Sequence, residues 1–232
     1  MNDRAPPPFF DREHAAVYDR QFEPVAAMRE ALHLFTRLVL TDLPSDARIL
    51  CVGVGTGLEL VALADVFPGW RFTAVEPSGP MLDQCRAKVE ALGLSDRCTL
   101  HEAYVDELPP TDPFDAATAL LVSHFLTDDD ERRAFYRAIA DRLTPGGLFV
   151  NADISRAPRP EVDAELRRGW TNMFRLVGAA EEKIKANLDT LDEKVGVRTA
   201  EQIEAMLASA GFAGAAQFYQ ALLVRAWVAR RA

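Results

Sequence analysis

Cysteine is scarce in this 232-residue chain, which has only Cys51, Cys85 and Cys98. There is no CxxC pair and no Cys/His cluster, so neither a metal site nor a disulfide framework is expected. Scattered free thiols in apolar surroundings suit a reducing compartment. No uncharged apolar run approaches about 18 residues, so no membrane span is expected. The opening residues, MNDRAPPPFFDRE, hold acids and prolines but no apolar core of signal-peptide length. These absences predict a cytoplasmic protein. Positive charge is also in short supply: 26 Lys and Arg face 35 Asp and Glu, for a net charge of -9. An acidic surface repels phosphate, and no basic patch carries interleaved aromatics, so nucleic acid is a poor candidate partner. Internal repeats are absent, and the prolines at the start are the one low-complexity tract.

The length and the 49% hydrophobic content fit one large domain, or one domain with a modest insertion. Residues 1–12 read as a poorly ordered Pro-rich leader. Met28, Leu32, Phe35 and Val39 then recur at helical spacing, until Leu43-Pro44-Ser45 ends the run. Residues 48–53 (RILCVG), 71–76 (RFTAVE), 98–103, 114–122 and 148–154 (LFVNADI) are short β-rich runs. Helical stretches at residues 59–67, around Met81 to Leu92, and at 128–143 separate them. Thr144-Pro145-Gly146-Gly147 reads as a turn. This alternation predicts a parallel sheet with helices on both faces. Residues 161–192 read as a long charged helical region, and residues 200–210 as a further helix. The closing runs, 215–219 and 222–229, are too close together for a crossover helix, which predicts an antiparallel hairpin.

The sharpest local signal is Gly53-Val54-Gly55-Thr56-Gly57, placed directly after a strand and directly before a helix. Alternate glycines allow a tight turn and let a ligand approach where a Cβ would clash. The helix behind the loop presents free N–H groups. A dinucleotide fingerprint needs a further glycine at position 58 or 60, and both are leucine, which argues against a pyrophosphate cofactor such as NAD. Glu76 follows at the end of the next strand, about twenty residues on, where an acid grips ribose hydroxyls in Rossmann-type sites.

With those residues in hand, RILCVGVGTGLEL resembles motif I of the class I S-adenosylmethionine-dependent methyltransferases. FTAVEPSGPML resembles their ribose-binding motif, and FDAATALLVSHFL and LTPGGLFVNADI their fourth- and fifth-strand motifs. The resemblance implies a Rossmann-like, doubly wound α/β fold with a seven-stranded sheet, an antiparallel C-terminal hairpin and a helical cap. The implied segments are 1–45 (leader and lid helices), 46–156 (cofactor-binding core), 157–198 (helical substrate cap) and 199–232 (last helix and hairpin). The implied cofactor is S-adenosyl-L-methionine, with S-adenosyl-L-homocysteine as product. Gly53, Gly55 and Gly57 would pass under its methionine and ribose parts. Glu76 would hold the ribose, and Pro77, Ser78 and Met81 would line the adenine side. Tyr104 and Val105 match the adenine-reading positions, although Tyr104 replaces the usual acid there and Asp106 is an alternative. Tyr18, in AAVYDRQF, resembles a lid over cofactor and acceptor. Cys51 stands where the family commonly has an acid.

In an open α/β sheet, ligands sit at the carboxyl ends of the strands. That puts Leu121, Val122, Ser123 and His124 beside the sulfonium, with His124 the candidate general base; the alternative is a packing histidine that frames the cofactor. Trp170, Phe174 and Tyr219 join His124 and Tyr18 as candidate substrate contacts, followed by Met173, Arg175, Asp153, Arg156 and Arg225. The expected activity is methyl transfer to an O, N or C atom of a small molecule. Alternatives of the same fold are a transfer-RNA wobble-uridine enzyme or a carboxylated-cofactor synthase. A non-catalytic cofactor-binding protein is the alternative of another class. No metal is expected, and a homodimer is left open. The alanine- and arginine-rich composition suggests a bacterial source.

Overall fold

The computed structural model describes residues 12–21 and 23–232; the leader expected over residues 1–12 lies outside them except for Arg12. Two N-terminal helices, α1 (Arg12–Gln21) and α2 (Ala26–Leu40), precede an alternating core. The core runs β1 (Arg48–Val52), α3 (Leu58–Val66), β2 (Arg71–Val75), α4 (Gly79–Ala91), β3 (Cys98–His101), β4 (Phe114–Leu120), α5 (Asp129–Ala140) and β5 (Leu143–Arg156). Next come α6 (Pro160–Leu176), α7 (Glu181–Glu193), β6 (Arg198–Thr199), α8 (Ala200–Ser209), β7 (Phe212–Ala221) and β8 (Val224–Arg231).

The sheet order is β3-β2-β1-β4-β5-β8-β7, with the two-residue β6 beside β5. The five strands from β3 to β5 pair in parallel, and β8 pairs antiparallel with both β5 and β7. Seven strands therefore lie on the path, as expected, plus a short eighth that periodicity could not register. Each strand's side chains alternate between two cores. Ile49 and Cys51 pack with Leu60, Leu63 and Leu82 of α3 and α4. Leu50 and Val52 join Tyr136, Ile139, Phe149, Leu207 and Trp227, which belong to α5, β5, α8 and β8. A third cluster, with Leu32, Ala152, Tyr219, Val224 and Ala226, lies under α2. Strand order reverses between β1 and β4, so their carboxyl ends diverge into the crevice where such sheets bind ligands.

Three local expectations need correction. The helix expected over 128–143 ends at Ala140, and Thr144-Pro145-Gly146-Gly147 is not a turn ahead of β5. It is a bulge inside β5: pairing jumps from Phe114↔Leu143 to Ala116↔Leu148, with Gly146 at φ +78°. The helical region 161–192 is two helices, broken after Leu176, where Gly178 takes φ +78°. Gly178, one residue past the C-cap of α6, is the local mark of the break.

The helix over the fourth-strand motif has a defined start. Asp128 Oδ1 accepts from the amides of Asp130 and Glu131 at 2.9 and 3.0 Å, which satisfies two end groups that α5 leaves unpaired. Asp128→Ala is expected to cost about 1 kcal/mol of stability, read as a lower urea midpoint at unchanged m-value.

Candidate cofactor and acceptor site

The glycine loop is shaped by the protein on two sides and open on a third. Gly53, Gly55 and Gly57 all have positive φ, at +63°, +55° and +85°. A Cβ on Gly53 would lie 2.6 Å from Val122 Cγ2, and one on Gly57 2.6 Å from Cys85 Sγ. At Gly55 a Cβ would touch Met81 Cε at an ordinary 3.6 Å and nothing nearer. The outer glycines are thus required by packing, whereas Gly55 presents its bare backbone to open space.

That space is bounded by Glu76 and the start of α4. Glu76 Oε2 accepts from Gly55 N at 3.0 Å and Oε1 from Ser78 N at 2.9 Å. Both oxygens are fixed in place, and each keeps a lone pair for a hydroxyl. Burial pushes the Glu76 carboxyl above its ordinary range, and the two amides oppose that shift. Ser78 caps α4 by accepting from Met81 N, Pro77 is half-buried and Met81 is buried. Gly55, Glu76, Pro77, Ser78 and Met81 therefore lie together, and an exposed glycine backbone beside a pinned carboxylate fits an adenosyl group.

The N-terminal helix is fastened over this loop. Asp19 Oδ1 accepts from Thr56 Oγ1 at 2.7 Å, Asp19 Oδ2 lies 2.8 Å from Lys88 Nζ, and Lys88 Nζ also donates to Thr56 O at 2.9 Å. Tyr18 is carried in beside Glu76: burial raises its phenol, with Asp19 and then Glu76 adding and Arg29 opposing. No spacing rule pairs residues 19, 56 and 88, so this clamp was illegible in the sequence.

Beneath the loop, Cys51 is fully buried. The Glu59 carboxyl from the first turn of α3 reaches the same place, accepting from Thr118 Oγ1 and bonded to Cys51. An acid is thus present under the loop, delivered by the helix and not by the strand. Burial pushes Glu59 up to about 7, and the bonds from Thr118 and Cys51 oppose the shift.

Tyr104 is half-buried; its N–H donates to Glu107 Oε2 at 3.1 Å, and Val105 is buried in the core. Leu121, exposed at the end of β4, takes φ +62° while its N–H donates to Ala152 O at 2.8 Å. A branched residue held in that region is strained, and here the strain turns the chain sharply into the Ser123–Phe125 turn that carries His124.

His124 is buried, its Nδ1 3.3 Å from Asp153 Oδ1 of β5. Asp153 has no solvent exposure. Its Oδ2 accepts from Ser123 Oγ at 2.8 Å and meets the fully buried Arg132 at 3.4 Å. Tyr136 donates to Ser123 Oγ at 3.0 Å. Arg132 also donates to Leu126 O and Gly196 O, while Gly196 N donates to His124 O at 2.7 Å. The segment after α7 is therefore tied to the histidine turn. One signal did announce this face: Asn151, Asp153 and Ser155 sit at period two within an otherwise apolar strand.

The remaining substrate candidates lie elsewhere. Trp170 packs with Tyr219 and Ala152 on the opposite face of β5 from Asp153, and Phe174 meets Trp170 edge-on at 5.9 Å. Tyr219 spends its hydroxyl on Met28 O at 2.9 Å. Met173 is half-buried and Arg175 exposed on the same helix, Arg175 pairing with Glu181. His124 and the aromatic group thus occupy two sides of one strand end.

A Rossmann-like sheet with an adenosyl-shaped loop and acid at its switch point defines a nucleoside-binding α/β protein. Residues 49–147 match the family model described as "Methyltransferase domain". Across 228 residues the chain is 28% identical to the carboxy-S-adenosyl-L-methionine synthase of Dichelobacter nodosus, covering 95% of this chain and 91% of that one. Across 159 residues it is 30% identical to the mitomycin biosynthesis 6-O-methyltransferase of Streptomyces lavendulae, covering 68% of this chain and 43% of that one. The mitomycin 7-O-methyltransferase MmcR superposes with a TM-score of 0.68 at 25% identity over 96% of this chain and 58% of that one. The chain thus spans about half the length of the two mitomycin enzymes. The matched domain and these likenesses support a class I S-adenosylmethionine-dependent methyltransferase, with S-adenosylmethionine as methyl donor. Among the described residues, no helix is long and apolar enough to cross a membrane.

Glu59 yields a test of the buried acid. Its carboxyl holds a proton more tightly folded than unfolded, so its contribution to stability falls as pH rises from about 4.5 through about 7. Glu59→Gln lacks that term. The melting temperature of the variant should gain on that of the parent between pH 5 and pH 8, with no such trend if the carboxyl titrates normally.

Proposed function

We propose that this chain moves the methyl group of S-adenosylmethionine to an oxygen, nitrogen or carbon of a small acceptor, with His124 as general base. The observation that carries the reading is the buried His124–Asp153 pair at the same strand ends as the Gly55–Glu76 pocket. When bound, the cofactor supplies a methyl carbon already activated by positive sulfur. Gly55, Glu76, Ser78 and Met81 hold its adenosyl part, Tyr104 and Val105 border the adenine, and Tyr18 covers the ribose acid. Asp153 Oδ1 lies 3.3 Å from Nδ1, where closing to a hydrogen bond orients the imidazole and leaves Nε2 to take the acceptor's proton. Positioning supplies most of the rate, roughly 7–11 kcal/mol in favourable cases.

The division into lid, core, cap and closing hairpin follows from the same reading, with α6 and α7 as the acceptor cap. The net charge of -9 supports a small acceptor over nucleic acid, and a cytoplasmic setting suits the free thiols. A second reading, synthesis of a carboxylated cofactor, is favoured by the nearly full-length alignment with the D. nodosus synthase.

Isothermal titration with S-adenosylhomocysteine should give micromolar binding, with none for NADH. His124→Ala should keep that affinity while turnover on an accepted substrate drops roughly 10²–10⁴-fold. Undiminished turnover would remove His124 as the base.

A further inference from the structure

Arg225 on β8 is paired in register with Asp153 and shares its face of the sheet. The residue is 9% exposed, yet among the described residues it forms no ion pair, and its Nε has no hydrogen-bond partner. Its charge reaches the exposed Glu201, whose carboxyl it helps hold below the ordinary range, without forming an ion pair with it. A buried guanidinium without a counter-ion is costly, and folds ordinarily pair it or remove it. Asp153 forms no ion pair with Arg225: its Oδ2 is taken by Ser123 and Arg132, and its Oδ1 lies 3.3 Å from His124 Nδ1 without a hydrogen bond.

Next to Arg225 on the same face stands Ser155, fully buried, whose Oγ likewise lacks a partner. Ser155 follows Asp153 by one strand period, toward the carboxyl end of β5 where an acceptor would sit. Two unsatisfied donors, one of them cationic, therefore lie beside the histidine pair at the ligand-binding edge of the sheet. Guanidinium forks recognise planar carboxylates in two-point geometry.

Resting on the methyltransferase reading, we infer that Arg225 and Ser155 form an anion subsite for a carboxylate carried by the molecule that enters beside His124. The carboxylate comes either from the acceptor or from a carboxylated cofactor. Both sources present the same group to Arg225, and the site is distinct from the Gly55–Glu76 cradle.

The test titrates protein saturated with S-adenosylhomocysteine with 4-hydroxybenzoate and with its neutral amide, 4-hydroxybenzamide. A parallel arm compares S-carboxymethylated S-adenosylhomocysteine with S-adenosylhomocysteine itself. At least one carboxylate should bind about tenfold more tightly than its neutral counterpart. Arg225→Met should abolish the preference and Arg225→Lys retain part of it, both with unchanged affinity for S-adenosylhomocysteine. The arm that shows the preference identifies the source of the carboxylate. Free Arg225→Met protein should also melt higher than the parent, because an unpaired buried charge has been removed. The inference is overturned if neither carboxylate shows a preference that Arg225→Met removes, or if Arg225→Met melts lower, which would assign the side chain to the packing of the fold. A parent protein that binds no S-adenosylhomocysteine defeats the methyltransferase reading instead; the benzoate pair, titrated alone, then decides the subsite.

Discussion

Asp153 carries its carboxylate at zero exposure near the carboxyl end of β5, and a buried charge of that kind survives only if its surroundings neutralise it. Arg132 is drawn in from α5, Ser123 from the turn after β4, and His124 beside it. Because Arg132 also holds Leu126 O and Gly196 O, satisfying one carboxylate fixes α5, the turn bearing His124 and the segment after α7 relative to each other. An apolar residue at 153 would leave those three elements with no common reference.

The cofactor side depends on a different economy of groups. Glu76 organises the pocket by accepting from the backbone of the loop and of the next turn, so the acid both shapes the cradle and faces its ligand. The loop's outer glycines answer to Val122 and Cys85, residues that themselves belong to the fourth-strand turn and to α4. Cradle and turn are therefore packed against each other, and the loop cannot shift without moving the turn that bears His124. The clamp of Asp19, Thr56 and Lys88 adds α1 to the same unit.

Much of this was readable from residue order. The β-α alternation, the glycine loop, Glu76 at its spacing and the final hairpin all follow from local patterns, and the sheet order agrees with them. Boundaries were less legible where tertiary pairing overrides turn chemistry: Thr144-Pro145-Gly146-Gly147 carries turn residues, yet β4 recruits it into β5 as a bulge. The break after α6 had a local mark in Gly178, a left-handed glycine just past the helix end, within a run read as one helical region. Cys51 read as a lost acid, because a strand position says nothing about a helix one loop away; Glu59 brings a carboxyl back to the same spot.

The sequence by itself determined the class of fold and the placing of the glycine loop and Glu76 at its switch point, because these rest on contacts between residues close in the chain and on backbone freedoms that glycine alone provides. Only the tertiary structure decided which polar side chains meet. Period-two spacing put Asn151, Asp153 and Ser155 on one face, but the groups that meet Asn151 and Asp153 come from residues 123, 124, 132 and 136. Buried charges are satisfied through space, at distances of a few ångströms that no linear pattern encodes. Tertiary packing likewise set His124 against one side of β5 and Trp170 and Tyr219 against the other.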